Sequence, residues 1–356
     1  MALAAPPPPR SPWQRLYGAA HRLRWRWYER RARRLPRPVV SVGNLCWGGA
    51  GKTPLVAAVA GHLRDRGLRV CVLSRGYGRT GGGRRIVSSG GGALLPATLA
   101  GDEPALLAEQ LPGVAVVVGA ARYQAGLFAL ERLNPSPDLF VLDDGFSHLA
   151  LRRDLDLIAF PAADPFAGGR LWPGGNLREP LAAVARADAA LATDLPPAGE
   201  PPTVGEDLAL ALRAYGFAGP GFASVTRPGI PLLAGDTEGG TALPLPAGSR
   251  VILVTAIARP ERLAASVRGL DFAVVGELRF PDHHSFPPAS LARIEDLAAA
   301  TGAAAVLTTG KDRVKLQGRL GARLAELPIQ AEPEPAFWAW LDAAIDRLRH
   351  GEAPRP

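Results

Sequence analysis

Pro38-Val39-Val40-Ser41-Val42, followed by Gly43-Asn44 and then by Gly48-Gly49-Ala50-Gly51-Lys52-Thr53-Pro54, is the stretch on which the fold of this chain turns. A short apolar run rich in β-branched residues stops at a glycine cluster, and a helical pattern runs from Thr53 to about Arg66. The order is strand, glycine loop, helix. Glycines in such a loop let successive backbone N–H groups converge on phosphate oxygens, and the helix N-terminus adds positive potential. Lys52 can reach the β- and γ-phosphates of a nucleotide, and the Thr53 hydroxyl can hold Mg²⁺. Gly48, Gly49, Ala50, Gly51, Lys52, Thr53 and Pro54 are therefore the expected nucleotide-binding segment. The strict spacing of this motif asks for glycine where Cys46 stands, but the strand before and the helix after are both present.

Outward from this loop, continuous apolar runs at Val70–Leu73, Val114–Val118, Leu139–Leu142 and Leu155–Ala159 read as buried strands with helical stretches between several of them. That pattern predicts an α/β fold, a P-loop NTPase-like doubly wound parallel sheet. From about 195 to 249 the chain breaks into Pro- and Gly-rich pieces, including Gly239-Gly240. A second, smaller α/β unit follows, with strands near Val251–Thr255, Ala273–Leu278 and Ala304–Thr308 and helices at Pro260–Val267, Pro288–Ala299 and Phe337–Leu348. The expected divisions are 1–37, 38–210, a linker over 211–249, and 250–356 closing a cleft.

The charge is unevenly placed. Of 356 residues, 41 are Lys or Arg and 33 Asp or Glu, a net charge of +8. Residues 1–37 hold ten arginines, Arg10 the first, and a single acid, Glu29, so the rest of the chain sums to −1. Trp13, Leu16, Tyr17, Ala20, Leu23 and Trp27 follow helical spacing on one face, with Arg15, Arg22, Arg26 and Arg33 opposite. A basic amphipathic helix of this kind fits an anionic membrane surface, or a helix docked on its own domain. Nucleic acid is not an expected partner, because the body supplies no second basic patch. Two cysteines, Cys46 and Cys71, exclude a disulfide-stapled scaffold, and neither a membrane-spanning run nor a signal peptide is readable, so a cytosolic location is expected. Only three of the cations are lysines, Lys52, Lys311 and Lys315. In a chain that otherwise uses arginine, those positions carry extra weight.

Val141-Leu142-Asp143-Asp144 closes a hydrophobic strand, where P-loop enzymes keep an acidic motif; Asp143 is the first candidate for the Mg²⁺ shell beside Thr53, and Asp144 the second. Arg75, Tyr77 and Arg79 follow the second strand on a glycine-flexed loop, where guanidinium can grip a sugar phosphate and the phenol can stack on a sugar ring, unless the loop is simply solvated. Arg122 and Arg178 are further candidates for contact with substrate or the transferring phosphate, or for surface ion pairs.

Together with the P-loop and Gly43-Asn44, the motifs Ser74-Arg75-Gly76-Tyr77-Gly78-Arg79, Gly101-Asp102-Glu103-Pro104, Asp143-Asp144-Gly145 with His148, Leu177-Arg178-Glu179-Pro180, Asp282-His283 and Thr308-Thr309 with Lys311-Asp312 resemble the tetraacyldisaccharide 4'-kinase (lipid A 4'-kinase) family of Gram-negative bacteria. The resemblance spans residues 43 to about 316. It implies ATP- and Mg²⁺-dependent phosphorylation of the 4'-hydroxyl of an anionic tetraacyl disaccharide 1-phosphate lipid, giving lipid IVA at the cytoplasmic face of the inner membrane, with the protein peripheral or monotopic there. It also implies Asp102 as general base with His283 as its partner, beside the catalytic Lys52; an N-cap role for Asp102 and a polar loop role for His283 are the plainer alternatives. If those two residues work together, they meet across an interdomain cleft. The sequence departs from the family at Phe146-Ser147, where Leu-Gln is usual, at Gly310, where an acid is usual, and in an arginine-dense rather than apolar N-terminal segment. Competing readings are another P-loop small-molecule kinase and a membrane-associated P-loop ATPase switch, which would need neither Asp102 nor the Arg-Gly-Tyr-Gly-Arg loop.

Overall fold

The computed structural model describes residues 11–197, 203–234 and 243–350. The first sheet is built from β1 (Val39–Gly43), β2 (Val70–Ser74), β3 (Arg85–Ser89), β4 (Ala115–Val118), β5 (Leu139–Asp143), β6 (Leu155–Pro161), β7 (Ala189–Leu195) and β8 (Gly221–Pro228). The second uses β9 (Leu232–Leu233), β10 (Leu243–Pro244), β11 (Arg250–Thr255), β12 (Ala273–Arg279), β13 (Ala305–Thr309) and β14 (Leu324–Leu327); β15 (Ile329–Pro333) returns to the first. The helices are α1 (Pro12–Glu29), α2 (Lys52–Asp65), α3 (Ala97–Ala100), α4 (Asp102–Gln110), α5 (Arg122–Arg132), α6 (Val204–Arg213), α7 (Glu261–Arg268), α8 (Pro288–Thr301), α9 (Gly310–Leu316) and α10 (Pro335–Arg349).

The nine-stranded sheet runs β15-β8-β7-β6-β1-β5-β2-β4-β3. Its seven inner strands are parallel, and β3 and β15 add antiparallel edges. Strand β1 is buried along its whole length, as its apolar run requires, because helices cover both faces of such a sheet. It sits in the middle, so its C-terminal end, where the glycine loop begins, lies beside those of β5 and β6, the crevice in which α/β sheets bind ligands. The six-stranded sheet runs β10-β9-β14-β13-β11-β12, with parallel pairing among β12, β11, β13 and β14.

The second unit is smaller than the sequence reading drew it. Strand β8, expected in the linker, pairs parallel to β7, and β15 with α10, expected in the second unit, packs on the first. The reason is packing: Phe337, Leu341 and Ile345 of α10 join the core that contains Val56 and Val59, the Trp338 ring stacks on His62 at 4.3 Å, and His62 is 2.8 Å from Asp342. Residues 198–202 and 235–242 of the expected boundary and linker lie outside the described residues, as does Arg10 of the basic arm.

Helix α1 docks through Gln14 and Gly18, which are buried; the Tyr17 hydroxyl donates to the Arg178 carbonyl at 3.1 Å, and Arg24 donates to the Ser147 carbonyl at 3.4 Å. Trp13, Leu16, Leu23 and Trp27 of the apolar stripe stay exposed. The helix is therefore docked along one edge, as one reading of its sequence expected, and those apolar side chains remain open. No helix among the described residues is long and apolar enough to cross a membrane.

Candidate active site

The loop between β1 and α2 takes the shape its glycines permit. Gly48 and Gly51 have positive φ (95° and 64°), and a Cβ on Gly51 would sit 2.9 Å from Asp194 Oδ1, so this position has neither the backbone freedom nor the space for a side chain. Thr193 Oγ1 pins the loop from β7 by donating to the Ala50 carbonyl at 3.0 Å. The next residue, Lys52, opens α2, with Thr53 and Pro54 in its first turn.

Asn44, fully buried, organises the lysine. Its amide donates to the Cys46 carbonyl at 2.9 Å, and its Oδ1 accepts from Lys52 Nζ at 2.9 Å and from Arg178 at 3.2 Å. The site thus tolerates Cys46 in place of glycine because Asn44 fastens the start of the loop. Sequence reasoning gave Asn44 no role; its neighbour glycines masked it.

The two aspartates at the end of β5 have different surroundings. Asp144, with φ of 51°, receives both arms of the Arg178 guanidinium at 2.9 Å each and lies 3.6 Å from Lys52 Nζ. Burial works against its charge, but Lys52 and Arg178 outweigh that and hold its pKa well below the usual carboxylate range. Asp143 is 2% exposed and accepts one hydrogen bond, from Ser74 Oγ at 2.8 Å. Burial, then the neighbouring Glu103 and Asp144 charges, push it up to about 7. Arg178, an expected substrate contact, is thus committed to Asp144 and Asn44. Arg122 is buried near both aspartates, and its Nε has no hydrogen-bond partner.

Across the cleft, Asp102 at the start of α4 meets the other unit. His283 Nδ1 lies 3.3 Å from Asp102 Oδ2, and Lys315 Nζ lies 3.4 Å from the same oxygen and 3.0 Å from Asp312 Oδ1. Asp312 is itself held by the Ala256 N–H at 2.8 Å. Burial opposes the Asp102 carboxylate, but the His283 hydrogen bond and the Lys315 charge prevail and lower its pKa. The Asp102 side chain makes no helix cap. Lys311 pairs with Glu103 at 2.8 Å, and Arg313 binds both Glu109 and Glu326, so α9 braces α4 with three cations. Lys315 was missed as a site residue, although lysine scarcity had marked it. A side chain at Gly310 would strike Glu326 Oε1 at 2.6 Å and Leu106 at 2.7 Å, which explains why an acid is not used there. His284 stacks on Phe280 and bonds Ser290 Oγ at 2.9 Å, a structural role, and no three-ligand His/Cys/Asp/Glu metal cluster exists among the described residues.

On the same lip, the Tyr77 ring lies 5.1 Å from the His283 ring, with Arg75 exposed beside it and Arg79 half-buried. His148 is pushed down to about 4 by burial and then by Arg122, Arg153, Arg75 and Arg24. Because the unfolded chain takes up that proton at a higher pH, stability is expected to fall as pH drops from about 6.5 to about 4, by up to about 3 kcal/mol. Urea midpoints across that range should show a smaller acid loss in His148→Gln; equal slopes in both proteins would refute this.

Fold and site define a P-loop α/β phosphotransferase-type protein, in which a carboxylate of the nucleotide-loop unit is paired with a histidine from the second unit. The match to known proteins is more specific. The family model for tetraacyldisaccharide-1-P 4'-kinase matches residues 10–346. A tetraacyldisaccharide 4'-kinase of Anaeromyxobacter dehalogenans is 43% identical over 325 residues, covering 89% of this chain and 84% of its own length. One of Geobacter sulfurreducens is 41% identical over 339 residues, covering 94% and 91%. The crystal structure of LpxK from Aquifex aeolicus in complex with ATP superposes with a TM-score of 0.70 at 31% identity, covering 94% of this chain and 97% of that one. The chain belongs to the tetraacyldisaccharide 4'-kinase family.

Proposed function

We propose that Asp102, His283, Lys315, Lys52 and Arg122 carry the family reaction in this chain, transfer of the γ-phosphoryl group of ATP to the 4'-hydroxyl of a tetraacyl disaccharide 1-phosphate. The observation that carries this assignment is the meeting of Asp102 and His283 at 3.3 Å across two units, with the adjacent Glu103 close enough to the buried Asp143 at the end of β5 to act on its charge. An ATPase switch has no use for such a pair poised toward an acceptor.

Asp102 accepts the proton of the 4'-hydroxyl as that oxygen attacks the γ-phosphorus in line; the bond from the γ-phosphorus to the bridging oxygen breaks, and ADP departs with the electron pair. His283 and Lys315 fix the carboxylate and keep it ionised. The loop N–H groups and Lys52 hold the nucleotide phosphates, and Arg122, whose Nε lacks a partner, faces the charge that spreads over the transferring group. The donor set fits Mg²⁺: the Thr53 hydroxyl and the Asp143 carboxylate are hard oxygen ligands, and a buried carboxylate with one hydrogen bond, close to Glu103 and Asp144, has uncompensated charge. Magnesium usually takes one or two carboxylates plus substrate phosphates, so a site without an all-protein cluster among the described residues suits it. When bound it supplies neutralisation of phosphate charge.

The exposed Trp13, Leu16, Leu23 and Trp27 beside many arginines support adhesion of α1 to an anionic membrane face, the cytoplasmic side of the inner membrane. The test is transfer of labelled γ-phosphate from ATP·Mg²⁺ to tetraacyl disaccharide 1-phosphate in neutral detergent. Wild type should label the lipid, and Lys52→Ala should lose at least about 10²-fold. ATP hydrolysis without lipid labelling would overturn the reading. Pelleting with anionic vesicles, reversed by salt, checks the helix; no pelleting would refute adhesion.

A further inference from the structure

Four arginines, Arg75, Arg79, Arg84 and Arg85, lie within eleven residues that contain no acid, and none makes an ion pair among the described residues. Elsewhere in the same unit Arg64, Arg66, Arg69, Arg153, Arg178 and Arg186 each pair with a carboxylate. Three of the unpaired arginines, Arg75, Arg79 and Arg84, line a groove of about 650 Å³ together with Tyr77, Gln124 and glycines 81–83. Its lining holds no carboxylate. Arg79 donates through one arm to the Gly83 carbonyl, while its other terminal nitrogen is shielded from solvent and has no partner. Arg84 is planted by Gln124 Oε1, which accepts from it at 3.1 Å, and by the Phe128 ring 5.8 Å away. Guanidinium groups held this way, without a protein anion, are a phosphate receptor awaiting its ligand.

The groove has a direction. Tyr77 belongs to its lining and also touches His283, and Gly76 packs so tightly on the Ala100 carbonyl that a Cβ there would lie 2.8 Å from it. One end therefore opens beside Asp102. Arg75 lies at that end, close enough to Arg122 to be felt by it, whereas Arg84 and Gln124 lie on the side of β3 and α5.

We propose that Arg79 and Arg84 bind the phosphomonoester at position 1 of the acceptor, at the far end of the groove from the reacting 4'-hydroxyl. This rests on the acceptor reading given above. In a disaccharide those two groups sit at opposite ends, so one bound molecule spans the groove, with a sugar ring over Tyr77. The second phosphate is then a ruler: it sets which hydroxyl reaches Asp102.

The test compares two acceptors in neutral detergent, with ATP·Mg²⁺ as donor and no other lipid phosphate present: the tetraacyl disaccharide 1-phosphate and the same lipid with a free 1-hydroxyl. Wild type is expected to favour the 1-phosphate by about 10²-fold in kcat/KM. Arg79→Ala and Arg84→Ala should raise KM for the 1-phosphate about 10- to 100-fold while leaving the free 1-hydroxyl acceptor unchanged, so the preference collapses. Arg84→Lys, which keeps charge and fold but loses the planar fork, should fall between. Equal losses on both acceptors, or no loss on either, would overturn the proposal while leaving the kinase reading intact. A wild type that labels neither acceptor overturns both.

Discussion

Asp102→Asn is expected to lower kcat for lipid phosphorylation by about 10³-fold while leaving ATP affinity unchanged. Asparagine keeps the size of the side chain but cannot take a proton. The loss should appear in kcat because Asp102 sits at the start of α4, away from the P-loop fastened by Asn44 and Thr193. Its partners add a second signature. His283 and Lys315 hold the carboxylate pKa below its ordinary value, so wild-type activity should not fall through protonation of this group between about pH 9 and pH 5. Lys315→Met removes one of those stabilising charges, and the Asp102 pKa must rise. Activity lost on acidification then begins at a higher pH than in wild type. Stopped kinetics at saturating ATP across pH measure both effects. A variant Asp102→Asn with near-normal kcat would remove Asp102 from the chemistry, and an unmoved acid limb in Lys315→Met would reduce Lys315 to a brace between α4 and α9.

How much of this was legible in the chain depends on where each signal lies. Strands β1, β2, β5, β6 and β11 announce themselves as runs of Val, Ile and Leu, and helices α2, α8 and α10 by periodicity. Strand β7, Ala-Ala-Leu-Ala-Thr-Asp-Leu, has alanine where β-branched residues would mark a strand, and its extended form comes from its place between β6 and β8. The return of α10 to the first sheet was not readable, since an amphipathic pattern states that a face is buried and not which neighbour buries it. The site divides similarly. Lys52 and Asp143 are fixed by local order, one just after a glycine loop and the other at a strand end. Asn44, Ser74 and Lys315 gain meaning only from partners 8, 69 and 213 residues distant in sequence: Lys52, Asp143 and Asp102. The chemical scarcity of lysine pointed to Lys315 without saying what it met.

Asp143→Asn should produce the other large effect, and it should have two opposite halves. Asparagine can still accept from Ser74 Oγ, and its volume matches, so the fold around the end of β5 keeps its geometry. What disappears is a negative charge buried to 2% exposure, close to Glu103 and Asp144, while Arg178 and Lys52 are already engaged by Asp144. In the native chain that charge is unfavourable above about pH 7, where Asp143 is ionised, and the cost fades as pH falls toward about 4, where folded and unfolded chains are both protonated. The variant is therefore expected to melt a few degrees higher than wild type near pH 8, with the gap closing on acidification. Activity should move the other way, by about 10²- to 10³-fold, if, as proposed above, the lost carboxylate serves Mg²⁺ at the nucleotide phosphates. Thermal melts without nucleotide at several pH values, set beside transfer assays over a range of Mg²⁺, separate the halves. A variant that is both less stable and less active would mean that Asp143 serves the fold through its charge, whereas gain in one and loss in the other marks a residue kept under electrostatic strain for its chemistry.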